Sequence, residues 1–229
     1  MQDIDVVDLV GLVYSSGKVF DGLSTGRLDT ENFLRSGSLD GVTSRSDLAL
    51  LEDLRDAARF IIDQAGAPVD TNYVRTLHAQ MTRSAALRPG ELRRDEQGIG
   101  VRTRYGRHEP PALDDEGLHE LVAQTVSGTA ENGGTPQDPR ENALDLFIRL
   151  ARAQPFEDGN KRTALFAANG VLFAADLAET LTIPVDEDDP TVADTFNDLL
   201  ARVYVFEDVD PLKDFLRDRG FVPLPVARD

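Results

Sequence analysis

Gln154-Pro155-Phe156-Glu157-Asp158-Gly159-Asn160-Lys161-Arg162-Thr163 stands between two stretches of helical periodicity and joins them. Pro155 cannot continue the preceding helix, and Gly159 supplies a position that tolerates positive φ. Asn160 is placed to cap the helix that follows. The free N–H groups and positive dipole end of that helix then face the loop and form an anion site before any side chain is counted. Lys161 and Arg162 add two cations at the same point, where they oppose the dipole. A bound polyanion would remove that conflict, and Asp158 offers a hard oxygen for Mg²⁺ between phosphates. The plainer alternative is a capped helix with solvated charges, Asp158 pairing with Arg162.

Outward from this loop the chain reads as helices. Asn142 to Ala153 carries Leu144, Phe147, Ile148 and Ala151 on one face. The segment from about Lys161 to Leu172 is apolar nearly all round, as a buried central helix must be. Leu48 to Ile61, Val74 to Met81 (capped by Asp70 or Thr71) and Asp115 to Val126 are further amphipathic helices, with Val192 to Val205 and Leu212 to Asp218 closing the chain. Residues 127–140, rich in Gly, Asn, Thr and Pro, read as a loop. Gly98 to Gly106 alternates between glycines and predicts a β-hairpin. The expected fold is all-α: a helical bundle around one buried helix, with a small hairpin and an N-terminal helical extension. The expected divisions are 1–65, 66–206 and 207–229.

Composition narrows the function classes. The chain has 229 residues, 41% of them hydrophobic, enough for a substantial core. A net charge of −17 argues against nucleic acid and against anionic membranes as partners. Without cysteine, disulfides and thiolate metal sites are excluded. No signal-like start and no apolar run of spanning length is present, so the expected location is cytoplasmic.

The loop resembles the active-site motif of the Fic/Doc family, HPFx(D/E)GNGRxxR in Fic proteins and HxFx(D/N)ANKR in Doc-like ones. Pro155, Phe156, Asp158, Gly159, Asn160 and Arg162 match. Three further segments follow the family's order. Phe33 to Gly41, with Ser36, Asp40 and Gly41, is similar to its N-terminal inhibitory helix. Pro89-Gly90-Glu91-Leu92-Arg93 is similar to PGxxR, and His108-Glu109-Pro110-Pro111 to HxPP after the hairpin.

The resemblance implies a Fic-type fold, Mg²⁺ and ATP as cofactors, and AMP transfer to a Ser, Thr or Tyr hydroxyl of a target protein. Asp158 would hold Mg²⁺. Gly159, Asn160, Lys161 and Arg162 would bind phosphate. The hairpin, through Ile99, Val101, Arg102, Thr103 and Arg104, would receive the target as an added strand. Arg83, Arg88, Arg93, Arg94, Arg102, Arg104 and Arg107 form a basic cluster around it. Family members often dimerise, so a second copy of this chain is an expected partner beside the target or a regulatory protein.

Three positions depart from the motif. Gln154 replaces the catalytic histidine, and an amide cannot serve as general base near neutral pH. Lys161 replaces a glycine, as in Doc. Leu165 replaces the second arginine, which would grip the γ-phosphate and pair with the inhibitory acid. Weak or altered adenylyl transfer is therefore the first expectation. A non-catalytic nucleotide- or partner-binding pseudoenzyme and a Doc-like phosphotransferase toxin are the alternatives. Of the three histidines, His78 reads as a core residue, His119 as a surface one, and His108 as the sole candidate substitute base.

Overall fold

A computed structural model describes residues 4–84, 87–126 and 138–225. Most of the 127–140 loop read from the sequence lies outside them. The described residues form nine α-helices and two small two-stranded sheets. After a 3₁₀ turn, Val6–Leu9, come α1 (Val10–Asp21), α2 (Arg27–Ser36), α3 (Arg45–Asp63) and α4 (Thr71–His78). The hairpin β1 (Val101–Thr103) and β2 (Gly106–His108) follows. Then come α5 (Asp115–Val126), α6 (Pro139–Ala153), α7 (Asn160–Ala174), β3 (Glu179–Leu181), α8 (Thr191–Phe206), α9 (Asp210–Arg219) and β4 (Phe221–Pro223).

The apolar run after the loop becomes α7, buried along nearly its whole length. Helices α1, α3, α4 and α6 pack on it, and the core runs without a break from Val6 to Leu224. The N-terminal helices therefore contribute to the same core as the loop. Gly170 permits the closest of these contacts: a Cβ there would stand 2.4 Å from the Tyr73 hydroxyl.

Caps explain most boundaries. Asp70, not Thr71, caps α4 through its Oδ1 and the Tyr73 N–H at 2.7 Å. Helix α6 starts earlier than its periodicity suggests, because the Asp138 carboxylate accepts from the Arg140 N–H at 3.0 Å and Pro139 occupies the first turn. Helix α7 starts at Asn160, with Gly159 at φ 71° as its N-cap, so Asn160 is the first helical residue and not the cap.

The Ser36 to Gly41 segment does not continue as a helix. Ser36 ends α2, Gly37 turns left-handed at φ 74°, and Asp40 is exposed, with the Ser38 hydroxyl donating to its carboxylate at 3.1 Å. The hairpin is shorter than its sequence alternation: Val101 pairs with His108, Arg102 with Arg107, and Thr103 with Gly106. Ile99 precedes the strands. The second sheet, β3 with β4, had no counterpart in the sequence reading. It closes the far end of α7, where Asn169 donates to the Leu181 carbonyl and accepts from the Leu181 N–H, both at 2.9 Å.

Candidate functional site

The loop is held by its own polar groups. Asn160 accepts from the Phe156 N–H at 2.8 Å and donates to the Phe156 carbonyl at 2.9 Å and the Gln154 Oε1 at 3.2 Å. Its side chain is thus a staple across the turn. Phe156 is fully buried and stacks on His78 with ring centroids 3.8 Å apart. His78 in turn accepts from the Gly90 N–H at Nδ1 (2.8 Å) and contacts the Asp158 carbonyl at Nε2 (3.1 Å). With Nδ1 an acceptor, the proton sits on Nε2. Burial pushes this imidazole down to about pKa 4, so it stays neutral.

Arg93 does the same work from the other side. Its guanidinium donates to the carbonyls of Gln154 (2.6 Å), Pro110 (2.7 Å) and Pro111 (3.1 Å), and its N–H to the Pro155 carbonyl (2.9 Å). Burial holds its pKa below the usual arginine range. The segments Pro89 to Arg93 and His108 to Pro111 therefore meet the loop through one side chain. Gly100 marks the hairpin's root, where a Cβ would come within 2.5 Å of the His108 carbonyl.

Gln154 ends α6 in the left-handed region at φ 49° and is 6% exposed. Its Nε2 donates to the Ala151 carbonyl at 2.5 Å and its Oε1 accepts from Asn160. Each end of the amide makes a bond to the chain's own groups, and an amide does not take up a proton near neutral pH.

At the start of α7 the N–H groups of Asn160, Lys161 and Arg162 precede the first intrahelical bond, Thr163 N–H to Gly159 carbonyl at 2.9 Å. Lys161 lies over the Phe20 ring at 5.0 Å, and burial lowers its pKa. Arg162 is 2% exposed. Its Nη1 donates to the Ser84 hydroxyl at 2.7 Å, and its Nε stands 3.3 Å from Asp21 Oδ2. Asp158 is turned back on the Gly159 N–H at 2.6 Å. The partner of Arg162 is therefore Asp21, at the end of α1, and not Asp158. Burial raises the Asp21 pKa, while Arg162 and Lys161 pull it down and Asp158 raises it further. Two acids and two bases thus share one partly desolvated spot, and the conflict between the cations and the helix dipole is relieved by Asp21.

The hairpin lies over α8. Tyr105 donates to Asp198 at 2.7 Å, Arg104 pairs with the same carboxylate, and Tyr105 packs edge-on against Phe206 at 5.3 Å. Between hairpin and helix is a cavity of about 430 Å³, lined by Val101, Thr103, Lys161, Asn197 and Tyr204 among others. The Tyr204 hydroxyl is buried without a hydrogen-bond partner among the described residues. Of the basic cluster, Arg83 is engaged by Glu52, Asp53 and Asp56, Arg88 by Glu157, Arg93 by carbonyls, Arg104 by Asp198 and Arg107 by Glu109. Among the described residues Arg94 and Arg102 have no ion pair. His108 does not approach the role of a base either: it stacks on Tyr204 at 5.2 Å, with Nε2 on the Arg152 carbonyl at 2.7 Å.

Among the described residues no three His, Cys, Asp or Glu side chains gather as a metal cage. Asp158 alone fits the sparse coordination of Mg²⁺, which takes one or two carboxylates and completes its shell with phosphate oxygens and water. No described helix is long and apolar enough to cross a membrane.

The sequence reading missed Asp21, Ser84, Asp53 and Tyr204. For Asp21 a signal was present, because Asp21-Gly22 carries the same acid–glycine ending as Asp40-Gly41. The other three are brought in by packing and carry no local mark.

Comparison with known proteins agrees with this fold. The model of the Fic/DOC family matches residues 68–172. A Fic-domain-containing signaling protein from Bacteroides thetaiotaomicron superposes with a TM-score of 0.66 at 19% identity, over 95% of this chain and 86% of that one. Fic-1 (residues 134–508) from C. elegans gives 0.66 at 17% identity, over 95% of this chain and 59% of that one. A Fic family protein from Desulfovibrio desulfuricans gives 0.56 at 15% identity, over 93% and 64%. The chain therefore has the Fic helical fold. No curated protein sequence matches it.

Proposed function

With residues 68–172 matching the Fic/DOC family, we propose that this chain binds a nucleotide polyphosphate at the start of α7 and transfers from it slowly or not at all. The observation that carries the reading is the inward commitment of Gln154, whose amide satisfies Ala151 and Asn160. The phosphates would meet the first N–H groups of α7 with Lys161 and Arg162, and Asp158 would supply a carboxylate to Mg²⁺. Mg²⁺ held there would offset the charge of the phosphates. The nucleoside would extend past Lys161 into the cavity beneath the hairpin. Asp21 now occupies the cations and must give way when phosphate arrives.

Loss of a general base costs about 10²–10⁴ in rate. Adenylyl transfer to a protein hydroxyl is therefore the activity this scaffold would regain, not one it performs efficiently. The test is calorimetric titration with Mg²⁺·ATP, followed by incubation with ATP labelled at the α- or γ-phosphate, for the wild type and Gln154→His. Histidine is among the side chains that tolerate the left-handed backbone at this position. Binding by both chains, with α-label transferred by the histidine variant alone, is expected. Rapid labelling by the wild type would overturn the account of Gln154, and no binding at millimolar ATP would overturn the nucleotide site.

A further inference from the structure

Arg162 is gripped on two edges by groups of different kinds. On Nε stands Asp21, at the solvent-facing end of α1. On Nη1 stands Ser84, whose hydroxyl donates its own proton to Asp53 Oδ2 at 2.7 Å. Asp53 is fully buried in α3 and also accepts the backbone N–H groups of Thr82 (3.1 Å), Arg83 (3.0 Å) and Ser84 (2.7 Å). With its proton fixed on Asp53, the serine oxygen presents a lone pair to the guanidinium and nothing else. Three backbone bonds already fasten residues 82–84 to α3, so the hydroxyl's contact with Arg162 is not needed to hold that turn.

We propose that Ser84, oriented by Asp53, is a positioning residue for Arg162. It fixes one edge of the guanidinium, leaving the Nε edge to exchange Asp21 for a phosphate oxygen. An arginine has several rotatable bonds, and ordering them before the ligand arrives spares that cost at binding. The inference rests on the phosphate reading of the site.

The test uses the full chain. Affinities for Mg²⁺·ATP, ADP and AMP are measured by calorimetry for the wild type, Ser84→Ala and Ser84→Thr, together with their melting temperatures. Ser84→Ala is expected to weaken ATP about tenfold, the worth of one hydrogen bond to a charged group, and to lower the melting temperature as well, because Asp53 loses a donor. The penalty should shrink as phosphates are removed, and threonine should restore affinity. Unchanged ATP affinity in Ser84→Ala, or an equal loss for all three ligands, overturns the positioning role. Absence of ATP binding by the wild type instead overturns the nucleotide reading, and this role with it.

Discussion

Asp21 places its carboxylate 3.3 Å from the guanidinium Nε of Arg162, so the last residue of α1 and the third residue of α7 form a single ion pair. The pair joins the N-terminal helices to the loop, and it sits where a phosphate would have to go.

Removing that acid should therefore strengthen binding while weakening the empty chain. Asp21→Ala is expected to bind Mg²⁺·ATP about tenfold more tightly, since no carboxylate competes for the cations. Lys161 and Arg162 would then face the dipole unrelieved, so the ligand-free melting temperature should drop, by roughly 2–4 °C for each kcal/mol lost. Added ATP should reverse the drop. Calorimetry and thermal unfolding check both halves; weaker binding by Asp21→Ala would contradict the competition.

His78 makes stability depend on pH. Its folded pKa of about 4 lies below the ordinary value of 6.5. Between these values the unfolded chain takes up a proton that the folded chain refuses, so stability falls as pH falls through that window. The contribution is intact above pH 6.5 and is lost by pH 4, an effect of roughly 3 kcal/mol. His78→Gln should be less stable at pH 7 but should lack this part of the slope. Urea unfolding at pH 7, 6 and 5 distinguishes the two; parallel slopes would remove His78 from the account.

Arg93 should resist conservative replacement. Its planar fork reaches three carbonyls in different directions, which an ammonium cannot match. Arg93→Lys is expected to cost about 2–3 kcal/mol and to speed hydrogen exchange across residues 98–112. A lysine variant as stable as the wild type would mean that water satisfies those carbonyls equally well.

The sequence showed the helices best where apolar periodicity was dense and caps were local. Asp115 begins α5 as its periodicity predicts, and α7 differs at its start by one position. It failed where structure depends on remote partners. Each strand of the β3–β4 sheet is three residues long and without alternation, and its pairing spans some forty residues of chain. Pro139 was read as loop because its role as a first-turn residue depends on Asp138. The site divides in the same way. Gly159 and its positive φ were legible from the loop alone, whereas the inward turn of Gln154, the partners of Arg93 and the choice of Asp21 over Asp158 for Arg162 depend on which surfaces meet.

The strap formed by β3 and β4 has a consequence for the order of assembly during synthesis. The far end of α7 is secured through Asn169 to Leu181, and Leu181 pairs with Phe221. Every residue of the loop has left the ribosome long before Phe221 is made. The loop therefore exists as nascent chain before the helix that follows it can be clasped, and the distant pairing is entropically slow to close. Chains arrested on the ribosome before Phe221 should show the last turns of α7, around Asn169, exchanging faster than its start, and arrest beyond Pro223 with the tunnel cleared should protect them.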